Sequence, residues 1–304
     1  MNIIVGTRGS RLALSQTKWV ISQLKEKYPN DSFEIRVIKT TGDKIQNVSL
    51  DKIGQKGVFV KEMEEQLLKG EIHLAVHSMK DMPGELPQGL LFSWVPKRED
   101  FRDALIFNKE YRFLDDLPKG ATIATGSKRR AYQLLRTRRD LNIVPIRGNI
   151  DTRLRKMKEQ NLDGVILAVA GLKRLGFYGK LIENIQILSP EIMLPSPAQG
   201  ALALEIREDN RKLHRMIEKI RDDQAHLQVI AERAFLKEIG GSCHIPIGAL
   251  CTVVGKKIQL EGLLGNEDGS ILIQRKIFGD KNKVEDLGRQ LAQDILKEMK
   301  GNEG

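Results

Sequence analysis

The chain has 304 residues, 40% of them hydrophobic and 30% charged, a balance that suits a folded globular protein and excludes a disordered or fibrous one. At about 100–200 residues per domain, that length predicts two or three domains. Lys and Arg number 50 against 40 Asp and Glu, a formal charge of +10 that points to an anionic partner, while 5% aromatic residues leave few platforms for stacking nucleic-acid bases.

The start, Met1 to Ser10, has no long apolar core and soon reaches Arg8 and Arg11, so no secretory signal is expected. The longest apolar run, near Val165 to Ala170, falls far short of the ~20 residues that span a bilayer. We therefore expect a cytoplasmic protein without membrane contact. In that reducing compartment Cys243 and Cys251 are expected as free thiols. Two cysteines and five histidines without tight spacing argue against a zinc site, and no metal is expected.

Ile3 to Val5 reads as a short apolar strand. Ser10 opens an amphipathic helix through Leu12, Leu14, Trp19, Val20 and Leu24, stopped by Pro29. Phe33 to Ile38 alternates as a strand, Phe59 to Leu68 is helical and ends at Gly70, and Ile72 to Val76 is a strand. Strand, helix, strand, helix, strand predicts a parallel sheet with helices on both faces. A second set follows: strand Thr122 to Thr125, helix Ser127 to Arg136, strand Leu141 to Ile146, helix Asn149 to Gln160, and strand Val165 to Val169 leading into a helix near Leu172. Leu194-Pro-Ser-Pro-Ala-Gln-Gly200 is proline-rich and reads as a crossing between domains. From Val253 the pattern changes. Ile258 to Leu264 and Ile271 to Phe278 alternate like an antiparallel pair, and a helix runs from Val284 to about Met299.

The expected class is α/β: two similar doubly wound domains resembling periplasmic-binding-protein lobes, plus a smaller α+β C-terminal domain. The boundaries expected are residues 1–96 with about 197–215, residues 97–196, and residues 216–304.

Basic residues recur where a strand hands over to a helix: Arg8 and Arg11 around Ser10, Lys128, Arg129 and Arg130 after Ser127, Arg147 with Arg153 one turn into the next helix, and Arg174 beyond the third strand. In open parallel sheets such carboxyl-end loops line the ligand crevice. A cation in a first helical turn opposes the helix dipole by about 0.3–1 kcal/mol, a cost that a bound anion offsets. Guanidinium forks match carboxylate or phosphate. The Gly-x-x-x-x-Gly-Lys-Ser/Thr and Gly-x-Gly-x-x-Gly patterns are missing, so side chains rather than a glycine cradle should hold the anion. Solvated arginines are the plain alternative for any one of these positions.

Asp81, in His77-Ser-Met-Lys-Asp-Met-Pro-Gly84, reads as the only carboxylate in this cationic crevice. It either stabilises a cationic intermediate or shuttles a proton, or it is an ordinary turn aspartate. Gly240-Gly-Ser-Cys243 is either a mobile loop presenting a reactive thiol or the surroundings of a small core cysteine.

Several of these segments carry a more specific resemblance. Val76-His-Ser-Met-Lys-Asp81, Arg147-Gly-Asn149, Leu167-Ala-Val-Ala-Gly-Leu-Lys-Arg-Leu175, and Glu232-Arg233 through Gly241-Ser-Cys-His-Ile-Pro-Ile-Gly248 are similar to segments of the porphobilinogen deaminase (hydroxymethylbilane synthase) family, in order and over nearly the whole chain. Thr7-Arg-Gly-Ser10 and Lys56-Gly-Val-Phe-Val-Lys-Glu62 match as well. Departures are Arg11 where many members have Pro, the Gly126-Ser-Lys128 run, and Ser242 in place of a second Gly.

The resemblance implies a transferase of tetrapyrrole (haem) biosynthesis that joins porphobilinogen units head to tail with loss of ammonia. It implies a dipyrromethane cofactor held through a thioether to Cys243, with Lys80, Ser127, Arg129, Arg130 and Arg153 around the cofactor. Arg8, Ser10, Arg147 and Arg174 should face substrate or the growing chain, and Lys52 and Lys56 belong to an active-site loop. Asp81 matches the catalytic aspartate, expected to contact pyrrole nitrogens and stabilise the azafulvene formed when ammonia leaves. A monomer that hands its product to uroporphyrinogen-III synthase, with no nucleic-acid partner, completes the expectation. A solute-binding protein without chemistry and a nucleic-acid binder are the competing classes; charge alone favours the latter.

Overall fold

The structure is a computed structural model that describes residues 1–40, 60–181, 183–240 and 245–302. In chain order it begins with β1 (Asn2–Arg8), α1 (Arg11–Lys27), β2 (Ser32–Ile38), α2 (Lys61–Leu68), β3 (Leu74–Ser78) and β4 (Leu90–Phe92). Next come β5 (Asp103–Phe107), β6 (Thr122–Ala124), α3 (Lys128–Thr137), β7 (Asn142–Val144), α4 (Ile150–Glu159), β8 (Gly164–Ala168), α5 (Val169–Arg174) and β9 (Ile185–Ile187). β10 (Leu202–Arg207), α6 (Arg211–Glu218), α7 (Asp223–Glu238), β11 (Ile247–Val254), β12 (Lys257–Gly265), β13 (Leu272–Asp280) and α8 (Val284–Asn302) complete it. Two compact units result: residues 1–99 with 201–229, and residues 100–200 with 230–304. The chain leaves the second unit at Gly200 and re-enters the first at Ala201, at the end of the proline-rich stretch.

The sheet of the first unit has the order β2-β1-β3-β10-β4, and the larger sheet of the second unit has the order β7-β6-β8-β5-β9. Both follow one plan. The three strands β2, β1 and β3, or β7, β6 and β8, run parallel. The next strand, β10 or β5, is antiparallel to its neighbours on both sides. The three strands expected in each set do run parallel, and β10 and β5, which the sequence pattern did not mark, add an antiparallel member to each sheet. Leu202–Arg207 and Asp103–Phe107 escaped because they are short, buried, near-continuous apolar runs that do not alternate. β11 is a strand that periodicity did not reveal, because its first five residues are all buried and do not alternate.

Local chemistry sets where the helices start. Ser10 accepts from the Ala13 N–H (3.2 Å), Ser127 from Arg130 N–H (3.5 Å) and Asn149 from Thr152 N–H (2.9 Å), each satisfying a donor that the helix leaves open. In the first unit α1 buries Val20, Ile21 and Leu24 with Ile3, Val5, Leu74 and Val76 of the sheet. In the second unit, Leu105, Ile123, Leu134 and Ile166 share one cluster, while Ala104, Ile106, Val165 and Leu167 share another. That sheet is therefore covered on both faces, as parallel strands require.

β11, β12 and β13 form an antiparallel sheet with α8 packed on it. Gly262 permits this contact: a Cβ there would lie 2.6 Å from Phe235 Cε2 and 3.0 Å from Leu291 Cδ2. The same part of the second unit is fastened by a buried carboxylate. Glu232, fully buried on α7, accepts from the Ala198 N–H (2.6 Å) and the Cys251 N–H (2.9 Å). Ala198 has φ 59°, a left-handed conformation unusual for a residue with a side chain, and the hydrogen bond to Glu232 helps hold it.

Hydrogen bonds to charged groups contribute roughly 1.5–3 kcal/mol each. Glu232→Gln sets an amide NH2 against one of the two N–H groups. Equilibrium urea unfolding should show a loss of about 2–4 kcal/mol, with the slope against denaturant unchanged.

Candidate functional site

At the carboxyl end of β1 and β3 a pocket opens in the first unit, lined by Arg8, Ser10, Gln16, His77, Ser78 and Asp81 among others. Arg8 ends β1, Ser10 caps α1, and Asp81 closes the short 3-10 turn Met79–Asp81 that follows β3. The wall is knitted by Gln16 and Ser78, whose Nε2 and Oγ lie 2.9 Å apart. Asp81 is exposed, whereas His77 beside it is buried. Lys80 is half-buried in the same turn. The structure thus brings Arg8, Ser10 and Asp81 together as expected at one strand end. Asp81 is the one carboxylate among the described residues that line the pocket; a second, Glu205 of β10, is fully buried behind the wall, 3.0 Å from His77 Nε2. Its distance in sequence from the strand-end loops hid it.

The second unit gathers its cations differently. Ser127, Arg129 and Arg130 occupy the start of α3, whose first turn holds no acidic residue. Arg129 and Arg130 do not face water. Their side chains are 6% and 7% exposed, and both reach Asp103, which is fully buried at the start of β5. Arg129 donates to Asp103 Oδ2 (2.7 Å) and the Leu194 carbonyl (2.6 Å). Arg130 donates to Asp103 Oδ1 (2.7 Å) and the Ile166 carbonyl (3.0 Å). Gln199 completes the carboxylate's shell from the proline-rich stretch, at 2.9 Å from Oδ1.

Burial by itself would raise the Asp103 carboxyl, but the two guanidiniums outweigh it and hold the group well below the usual carboxylate range. Burial pulls Arg129 below its ordinary value, opposed by Asp103 and reinforced by Arg130. Two buried cations thus share one carboxylate, which leaves a positive charge over. Arg130 Nε, also buried, has no hydrogen-bond partner among the described residues. A surplus cation and an orphaned donor are the features of a site that takes an anion. Sequence reading found Arg129 and Arg130 but missed Asp103 and Gln199; the available signal was a lone charge opening the otherwise apolar Asp-Ala-Leu-Ile-Phe strand.

Arg153 is half-buried and donates through Nε to the Gly148 carbonyl (2.8 Å), next to the Asn149 cap of α4. Arg147 is exposed just before that cap. Arg174 closes α5 and donates to the Gly200 carbonyl (2.8 Å). Lys52, Lys56 and Cys243 lie outside the described residues. No group of three or more His, Cys, Asp or Glu side chains suited to a metal ion occurs among the described residues, and no helix among them is long and apolar enough to cross a membrane.

Comparison with known proteins gives two family matches. Residues 3–215 match the porphobilinogen deaminase dipyrromethane cofactor binding domain, and residues 226–297 match the porphobilinogen deaminase C-terminal domain. The chain is 56% identical to porphobilinogen deaminase of Clostridium novyi, over 98% of this chain and 100% of that one. It is 52% identical to porphobilinogen deaminase of Clostridioides difficile over the full length of both. Among solved structures, the methionine binding protein MetQ aligns with a TM-score of 0.43 at 16% identity, covering 74% of this chain and 90% of that chain.

Asp103→Asn leaves two guanidiniums buried without a counter-ion, a change that typically costs about 3–5 kcal/mol. The sign with pH follows from the lowered carboxyl. Its stabilisation is complete above the unfolded carboxylate range and is lost as pH falls toward the folded value. Thermal unfolding should therefore show the largest gap between wild type and Asp103→Asn at pH 6–8, narrowing in acid.

Proposed function

The chain belongs to the porphobilinogen deaminase family, and from that premise we propose how its residues divide the work of a hydroxymethylbilane synthase. The enzyme is a transferase of porphyrin biosynthesis that condenses four porphobilinogen molecules to the linear tetrapyrrole, with release of ammonia at each step. Its dipyrromethane cofactor supplies the primer pyrrole to which substrate units are added.

Each pyrrole of substrate and product carries an acetate and a propionate, so the partner is an acidic oligomer. The observation that carries the residue assignment is the unbalanced pair of buried guanidiniums on Asp103. Arg129 and Arg130 offer their remaining donors, including the unpartnered Nε of Arg130, to cofactor carboxylates. Ser127 and Arg153 stand at the starts of neighbouring helices in the same unit, where N–H groups and the helix dipole favour an anion. Lys80 joins this cofactor set, and Cys243 forms the covalent thioether. A thiol becomes a competent nucleophile as its thiolate, which cationic surroundings favour.

Arg8, Ser10, Arg147 and Arg174 serve substrate and the extending chain. Asp81 is the catalytic carboxylate. When the aminomethyl C–N bond breaks and ammonia leaves, the remaining pyrrole methylene is cationic, and an ionised Asp81 at its ring N–H stabilises it by charge and hydrogen bonding. Lys52 and Lys56 belong to the active-site loop, where exclusion of water during condensation would strengthen these interactions. The reading extends to a monomeric cytoplasmic enzyme that delivers its product to uroporphyrinogen-III synthase, with residues 216–304 as the domain that carries the cofactor cysteine.

Intact-mass measurement on denatured protein tests the cofactor assignment. Wild type should carry an adduct of two pyrrole rings that Cys243→Ser lacks, and an unmodified, fully active wild-type chain contradicts it. Arg129→Leu and Arg130→Leu should each yield a large unmodified fraction while retaining the far-ultraviolet circular dichroism of the fold. Asp81→Ala should keep the mass adduct but lose at least about a hundredfold in turnover, the scale of one deleted electrostatic group; near-normal turnover with the adduct in place removes Asp81 from the mechanism.

A further inference from the structure

His77 was singled out in the sequence only as part of a motif, and the chemistry above gives it no task. His77 lines the pocket with Arg8, Ser10 and Asp81. On one side the ring is engaged: Nε2 lies 3.0 Å from Glu205 Oε2. On the other, Nδ1 makes no hydrogen bond among the described residues, yet it is not among the polar atoms sealed from solvent.

The backbone explains the pairing. β3 and β10 run antiparallel with Ala203 opposite His77 and Glu205 opposite Ala75, so His77 and Glu205 are diagonal neighbours on one face of the sheet. A carboxylate acceptor at the fully buried Glu205 would place the ring hydrogen on Nε2 and leave the lone pair on Nδ1. A carboxylate behind an imidazole fixes tautomer and orientation and stabilises the imidazolium when it forms, the arrangement by which a general base is prepared.

Among the described residues, the charged and titratable groups around the dyad are few. α2 contributes Glu64, β1 contributes Arg8, the turn after β3 contributes Asp81, and α1 contributes only the neutral Gln16. Burial, with Glu205 adding to it, pushes the Glu64 carboxyl up to about 7. Glu64 therefore holds a proton more readily than an ordinary carboxyl, which lessens the negative charge beside the dyad.

The condensation needs such a base. Each C–C bond formed at the free α-carbon of a substrate-derived terminal ring leaves that carbon with one hydrogen too many, and its loss restores the aromatic ring. We infer that His77, oriented by Glu205, is the residue whose Nδ1 accepts this α-proton. The C–H electron pair returns to the pyrrole, the proton makes His77 an imidazolium against Glu205, and the ammonia released from the incoming unit carries it away as ammonium. The inference rests on the proposed role of the Asp81 pocket as the place of condensation.

The test has a spectroscopic and a kinetic arm, both on the cofactor-loaded protein. Nitrogen-15 NMR of histidine-labelled enzyme, with His77→Gln to assign the signal, should show the neutral Nε2–H tautomer, shifting toward Nδ1–H in Glu205→Gln. An Nδ1–H tautomer in wild type overturns the inference. His77→Gln keeps an amide donor toward Glu205 but has no basic nitrogen. It should lower kcat about a hundredfold, the typical lower range for a lost general base, with KM within about threefold. The acidic limb of the kcat–pH profile should move to lower pH, and porphobilinogen deuterated at its free α-carbon should turn over more slowly than the protiated compound. Turnover within about threefold of wild type with an unchanged pH profile overturns the inference. If His77→Gln does not fold, the decision falls to Glu205→Gln, which retains the imidazole: a displaced acidic limb supports the base, and an unmoved one overturns it. Asp81→Asn separates the two levels. Full turnover there sinks the pocket reading itself, whereas an inactive Asp81→Asn beside a normal His77→Gln sinks only the role of His77.

Discussion

Two guanidiniums meeting on one buried carboxylate organise the second unit. Asp103 is at the first position of an antiparallel strand, Arg129 and Arg130 are in the first turn of α3, and their other donors are tied to the carbonyls of Ile166 and Leu194. One network therefore fixes β5, β8, α3 and the proline-rich stretch with respect to one another. Burying ions is costly unless every lone pair and donor is met. Here the carboxylate is met from three side chains, while the guanidiniums retain both charge and an open donor. The result is a structural cluster whose imbalance is positive, which is the state a site awaiting an acidic ligand should have.

The first unit repeats the strand order of the second but buries the opposite charge. Where Asp103 is neutralised twice over, Glu205 and Glu64 have one imidazole between them, with Glu205 Oε1 and Glu64 Oε1 both lacking a hydrogen bond among the described residues. The physical outcome differs accordingly. A surplus of cations holds carboxylates, whereas a surplus of carboxylates near neutrality holds protons. One topology thus carries two buried charge balances of opposite sign, and the distinction lies in a handful of strand-end residues.

How much of this was legible depended on range. The caps Ser10, Ser127 and Asn149 announced α1, α3 and α4 because a cap acts on a donor three residues away. The clustering of Arg129 and Arg130 behind such a cap was equally plain. Their partner was not, since Asp103 is 26 and 27 residues distant and only the fold decides that they meet. Glu205, at a separation of 128 from His77, was beyond any local pattern. β5 and β10 escaped for a related reason: each is a short, buried, largely apolar run that does not alternate, and periodicity in any case reports burial rather than the direction of the chain. Cys243, Lys52 and Lys56 acquired meaning only from family resemblance, because a lone thiol or an exposed lysine has several ordinary explanations.

Arginines held by buried side-chain contacts, rather than a glycine cradle, suit the acidic, growing ligand proposed for this chain. A cradle of backbone N–H groups fits one phosphate of fixed size. A guanidinium locked by Asp103 and a carbonyl keeps its position and its charge whatever the ligand does, so it needs no reorganisation when a further carboxylate arrives. The same logic accounts for the location of both clusters on strands and first helical turns. Those elements fix side-chain direction, and a carboxylate recognised by its two oxygens demands that the fork facing it be fixed as well.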